Sequence, residues 1–171
     1  MNLQPWPYVK CENQWSIPNE ILFFIWDELV NNGNDKELFY DAGIKNGNEF
    51  ISYMQNPSNF LVLGVDSNEN KIVAFGFVNN YQDGHAYAHF SFMDGFRKNV
   101  GEMIIDYWRQ LKRPNGDKIF EILIGITPES YEKVIKIIQT WGFQIIGKIP
   151  KICFIADKGI KEAGIISYLE L

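Results

Sequence analysis

The chain has 171 residues, of which 46% are hydrophobic, 15% aromatic and 22% charged; this excludes disorder, collagen and coiled coil and predicts one packed domain. With 16 basic against 21 acidic residues the net charge is −5, so no global field holds a polyanion and nucleic acid is not an expected partner. The longest apolar run, Ile21 to Trp26, is far below the ~20 residues that cross a bilayer, and Met1-Asn2-Leu3-Gln4-Pro5 lacks the basic start of a secretory leader. A cytoplasmic protein that does not engage a membrane is therefore expected. Cys11 and Cys153 fit neither a disulfide framework nor paired metal-ligand spacing and read as reduced packing residues.

In chain order, residues 1–58 read as a helical part and residues 59–171 as the core of the same domain. Pro18 to Asn31 is a buried helix, continuous in apolar residues through Trp26. Phe50, Tyr53 and Met54 recur at helical spacing in a second, short helix that must stop before Pro57. Phe60 to Val65 and Lys71 to Val78 flank the polar turn Asp66 to Asn70 as a hairpin, and His85 to Met93 follows the Asp83-Gly84 turn as a third strand. Val100, Met103, Ile104, Tyr107, Trp108 and Leu111 mark the clearest helix, ended by Pro114 and Gly116.

Ile119 to Ile126 is a short apolar run between turn signals, the mark of a central strand covered on both faces. Thr127 is placed to cap the next helix, with Pro128 at its first position and Glu129 in its first turn. Tyr131, Val134, Ile135 and Ile138 form that helix's apolar stripe, and Gly142 ends it. Phe143 to Gly147 and Gly164 to Leu169 close the chain as strands, with Ile149-Pro150 as a break. The expected class is α/β, in the order ααβββαβαββ.

That order, together with Trp141-Gly142-Phe143-Gln144-Ile145-Ile146-Gly147 after Gly125-Ile126-Thr127-Pro128-Glu129, resembles the GNAT superfamily of acetyl-CoA-dependent N-acetyltransferases. The resemblance covers Phe60 to about Leu169. It implies a single GNAT-like domain with a mixed, mostly antiparallel sheet of about six or seven strands and helices on both faces. It also implies acetyl-CoA as acyl donor, an amine as acceptor and no metal. The family's phosphate loop is Arg or Gln, then x-x-Gly-x-Gly/Ala. Setting its second Gly on Gly101 puts Asn99 at the first Gly and Phe96 at the Arg or Gln position, with Arg97 one place late. Asn tolerates positive φ and could keep the turn. The family's Tyr four residues before the Gly of Gly-Phe is Ile138 here, and its Asn eleven before is Tyr131.

Acetyl transfer from a thioester to an amine needs an anion cradle, an oxyanion donor, a base and an acid. The cradle falls on Arg97, Lys98, Asn99, Val100, Gly101 and Glu102 at a helix start, where unpaired N–H groups and the dipole favour phosphate, although the Glu102 carboxylate opposes it. The resemblance puts the oxyanion donor on the backbone of Phe92 or Met93, where the third strand splays from the central one. His89, on the polar face of the third strand with His85, Tyr87 and Ser91, is the candidate base. His85 and His89 lie about 13 Å apart along a strand and cannot share a metal ion. Tyr131 is the candidate acid, though it equally fits a core ring with its hydroxyl at water. The N-terminal aromatics Trp6, Tyr8, Trp15, Phe23, Phe24 and Trp26 suit an acceptor cleft, core packing or a homodimer face. The expected function is direct acetyl transfer from acetyl-CoA to a primary amine of a small molecule or peptide. The alternative is a catalytically inactive GNAT-like scaffold that binds a protein, and a third reading is a longer acyl donor.

Overall fold

The computed structural model describes residues 2–93, 95 and 97–171. In chain order the elements are β1 (Leu3–Pro7), a small hairpin β2 (Lys10–Cys11) and β3 (Gln14–Trp15), α1 (Asn19–Asn31), α2 (Asn34–Leu38), α3 (Gly47–Met54), β4 (Phe60–Asp66), β5 (Lys71–Gln82), β6 (His85–Phe92), α4 (Lys98–Gln110), β7 (Ile122–Pro128), α5 (Glu132–Thr140), β8 (Gln144–Ile155), a 3-10 turn (Ala156–Lys158) and β9 (Ile160–Glu170). Seven strands form one sheet in the order β1, β4, β5, β6, β7, β9, β8. Among the described residues, only the β6–β7 pair is parallel. The sheet is therefore mixed and mostly antiparallel, as expected.

Alternation along the strands divides the core between the two faces. Leu61, Leu63, Phe75 and Phe77 pack with Leu22, Ile25 and Leu29 of α1 and Phe50 and Met54 of α3. Val62, Ala74, Val78 and Leu123 pack on the other face with Val100, Ile104 and Trp108 of α4 and with Ile138 near the end of α5. The spacing read for α4 is thus the spacing of its buried side. The Asp83-Gly84 turn has positive φ at both residues, which suits a tight hairpin turn and the right-handed twist of its strands. Gly142, at φ +90°, ends α5 as expected.

Three expectations need correction. Residues 3–7, read as part of a helical N-terminus, form the edge strand β1 against β4; Pro5 and Pro7 lack the N–H that an interior strand requires, and an edge tolerates this. Thr127 and Pro128 do not start a helix. They pair with Ile165 and Gly164 of β9, and α5 begins after Tyr131 with no side-chain cap. Ile149-Pro150 is not a break either: β8 runs through it, absorbing the proline in a register shift between Ile149 and Cys153. Among the described residues, no helix is long and apolar enough to cross a membrane.

Candidate functional site

β6 and β7 pair over only His85↔Ile122, Ala86↔Leu123 and Tyr87↔Ile124. Beyond that point each strand keeps its outer partner, β6 to Phe92↔Ala74 and β7 to Pro128↔Gly164, while their inner edges part. The N–H of Met93 donates to the Val73 carbonyl at 3.0 Å, which sets the alternation: odd residues at the end of β6 turn their peptide groups to β5, and those of Phe90 and Phe92 face the opening. This corrects one expectation, since the Met93 N–H belongs to the β5 ladder. The Phe92 carbonyl meets the opening and accepts a hydrogen bond from Asn34 Nδ2 at 3.4 Å. Pro128, the last residue of β7, has no N–H to leave unpaired there.

The opening is a cavity of about 510 Å³ that passes between the strands, within the range of small-ligand sites. Asn34, Glu37, Tyr40, His89, Ser91 and Tyr131 line it, as do Phe90, Phe92, Ile138 and Trp141. Both predicted catalytic residues thus share one cleft. His89 is half-buried, stacks on Phe77 at 4.5 Å and 12°, and sets Nε2 3.3 Å from Asn79 Oδ1. Desolvation lowers its pKa to about 4, against the opposing influence of Asp41, so the imidazole is neutral at pH 7. Tyr131 lies edge-on to Tyr40. Its pKa is raised first by burial and then by Glu37, Glu162, Asp157 and Cys153, which keeps the phenol protonated. Tyr40 is raised too, by burial and by Cys153, whose Sγ lies 3.7 Å from the Tyr40 hydroxyl.

At the predicted cradle, Arg97 is the N-cap of α4 without a side-chain capping bond. The Val100 N–H donates to the Arg97 carbonyl at 3.1 Å, so the first turn leaves the N–H groups of Lys98 and Asn99 at its mouth. Lys98 Nζ lies 3.4 Å from Glu102 Oε1, which engages the carboxylate that opposed phosphate binding. Asn99 does not supply the left-handed turn. It is helical, and among the described residues of this loop Gly95, at φ +79°, is the one with positive φ. Phe96 lies outside the described residues. Gly101 lacks a Cβ for a local reason: a Cβ there would lie 2.1 Å from the Trp141 ring, whose Nε1 donates to the Lys98 carbonyl at 3.1 Å. These groups fit an anion at the helix mouth, with Trp141 and not phosphate against the glycine.

Asn34, Glu37 and Tyr40 carry no signal in the sequence that marks them as site residues. They lie on and after α2, five residues long, too short for a periodic pattern to register.

No protein-family profile matches the chain, and no curated protein matches it in sequence. Solved structures do match. Spermidine N-acetyltransferase from Vibrio cholerae, in complex with CoA and spermine, superposes with a TM-score of 0.73 at 14% identity over 98% of this chain and 95% of that one. Ribosomal-protein-S5-alanine acetyltransferase from Vibrio fischeri gives 0.66 at 15% identity over 90% of each chain. The microcin C7 self-immunity acetyltransferase, in complex with acetyl-CoA and AMP, gives 0.66 at 14% identity over 90% of this chain and 89% of that one. The chain has the fold of the GNAT acetyltransferases.

Proposed function

We propose that the protein is an N-acetyltransferase that moves acetyl from acetyl-CoA to a primary amine of a small molecule or peptide by direct attack. The observation that carries this reading is the parting of β6 from β7 after Tyr87 and Ile124, which opens a cleft through the sheet with the Phe90 and Phe92 peptides facing it. Similar folds are held in complex with CoA and spermine, and with acetyl-CoA and AMP.

In this reading the segment Arg97, Lys98, Asn99, Val100, Gly101 and Glu102 is the diphosphate seat, with the N–H groups of Lys98 and Asn99 at the helix mouth as its main-chain donors and Arg97 and Lys98 as its cationic side chains. The Phe92 N–H is directed to the oxygen that gains charge as the amine attacks. His89 takes the proton that the amine loses, directly or through water, and Tyr131 supplies one to the departing thiolate. A neutral imidazole with pKa near 4 is a weak base. Drawing a proton from an ordinary ammonium would be uphill by roughly six pKa units, about 8 kcal/mol, so His89 serves an amine already desolvated in the cleft. The acidic groups near Tyr131 suit a cationic acceptor. Ile145, Ile146, Ile149, Ile152 and Phe154 on the edge strand β8 are exposed, a strip that a second copy would cover. The expected location is the cytoplasm.

A second reading, an inactive scaffold that binds a protein, is favoured by Trp141 filling the space beside Gly101. Mass analysis after incubation with acetyl-CoA and a panel of primary amines separates the two: the enzyme adds one acetyl group to an amine, and the scaffold adds none to any. Arg97→Glu should weaken acetyl-CoA binding.

A further inference from the structure

His89 is held by the polar side chain of Asn79, which is held in turn by Tyr53. Its Nε2 lies 3.3 Å from Asn79 Oδ1, and Asn79 Nδ2 donates to the Tyr53 hydroxyl at 2.5 Å. Asn79 is the last residue of β5 in regular register before a bulge, opposite Tyr87 of β6, and a bulge re-aims the side chain beside it. Tyr53 is fixed in turn, its ring edge-on to Phe39 at 6.4 Å and to Phe77 at 5.9 Å. The amide has one donor end and one acceptor end. With the donor end on Tyr53, only an oxygen is left for the imidazole, so Nε2 must carry the hydrogen.

We propose that Asn79, oriented by Tyr53, is a positioning residue that holds His89 as the Nε2–H tautomer and leaves Nδ1 as the nitrogen that takes the acceptor's proton. The proposal rests on the reading of His89 as the base and assigns the atom at which it acts. The proton moves from the amine nitrogen to Nδ1 while Nε2 keeps its own, so the ring becomes a cation with Nε2–H still bonded to Asn79 Oδ1. The amide stabilises that cation as well as selecting the tautomer. The Phe77 face prevents the ring from tipping, and Asp41 is the charged group that bears on both His89 and Tyr53. An apolar residue at position 79 would leave Nε2 without a partner.

Long-range proton–nitrogen correlation spectra of the free, ¹⁵N-labelled protein test this without any substrate. The chain has 2 histidines, so His85→Gln assigns the signals. The expected result is a pyrrole-type nitrogen at Nε2 of His89 and a pyridine-type nitrogen at Nδ1; the reverse pattern overturns the proposal. Asn79→Asp, which can only accept, should keep the Nε2–H form, and Asn79→Leu should lose it. If the leucine variant does not fold, the wild type and the aspartate variant still decide. For turnover, Asn79→Leu should lower kcat about tenfold with acetyl-CoA affinity unchanged, and an unchanged kcat counts against positioning. The expected tautomer with no acetylation of any amine would sink the proposed function and leave the hydrogen-bond chain standing. Acetyl transfer with the reversed tautomer would do the opposite.

Discussion

Trp141 and Gly101 compete for one volume: the indole lies where a Gly101 side chain would begin, 2.1 Å from a Cβ placed there. The ring continues into a cluster with Phe90 at 4.8 Å and Phe92 at 5.9 Å, and its Nε1 caps the Lys98 carbonyl. One side chain from the end of α5 thus ties the start of α4 to the parting end of β6, and of these α5 and β6 line the cleft.

Gly101→Ala should therefore overpack this contact and cost about 1–3 kcal/mol, seen as a lower Tm. Adding Trp141→Leu should make the alanine nearly harmless, a coupling that a double-mutant cycle reads directly. Additive losses would show that the two positions do not meet.

Ser167 and Gly125 form a second tight pair across β9 and β7. The hydroxyl has no hydrogen-bond partner among the described residues and is fully buried, and a Cβ on Gly125 would lie 2.6 Å from Ser167 Oγ. Ser167→Ala should be neutral or stabilising by up to ~1 kcal/mol, because it removes an unsatisfied polar group. Gly125→Ala should be destabilising alone and tolerated in the Ser167→Ala background. Chemical denaturation of the four proteins checks both statements.

The buried imidazole makes stability depend on pH. With His89 near pKa 4 in the folded chain and about 6.5 when unfolded, the unfolded state binds more protons between those values, so stability rises with pH across that window. The contribution is complete above about pH 6.5 and is lost as pH falls toward 4. His89→Gln should flatten the slope between pH 6.5 and 4 relative to wild type in urea titrations.

The Lys98–Glu102 pair sits on the first turn of α4, at the proposed diphosphate seat. Glu102→Gln removes a carboxylate from the positive end of the helix and releases the Lys98 ammonium. Acetyl-CoA should then bind about two- to fivefold more tightly, in keeping with the ~0.3–1 kcal/mol of charge effects at helix ends. Unchanged affinity would place the diphosphate elsewhere.

The sequence made the regular elements readable where one period ran long enough. α4 buries Val100, Ile104 and Trp108, the stripe that its spacing showed, and the hairpins followed from alternation and turn chemistry. β1 stayed hidden because two prolines in five residues mask a strand until β4 is beside it. Thr127-Pro128 carried a helix-start signal that β9 overrode by pairing with both residues. The cleft was legible only in part. His89 and Tyr131 do line it, but Asn34 and Tyr40 reach it through tertiary contacts that no local pattern encodes. Asn99 met the steric rule for a left-handed turn, yet the helix took it, and among the described residues before α4 the positive φ falls on Gly95.

The proposed function requires the parted strands β6 and β7 to be an acetyl-CoA channel. Calorimetric titration of acetyl-CoA into the protein measures this directly. It should show one site per chain, with Kd between ~1 μM and 1 mM, the range of ordinary enzyme substrates, weakening as salt screens the diphosphate seat. An absence of binding heat at millimolar acetyl-CoA, at two temperatures, would contradict it.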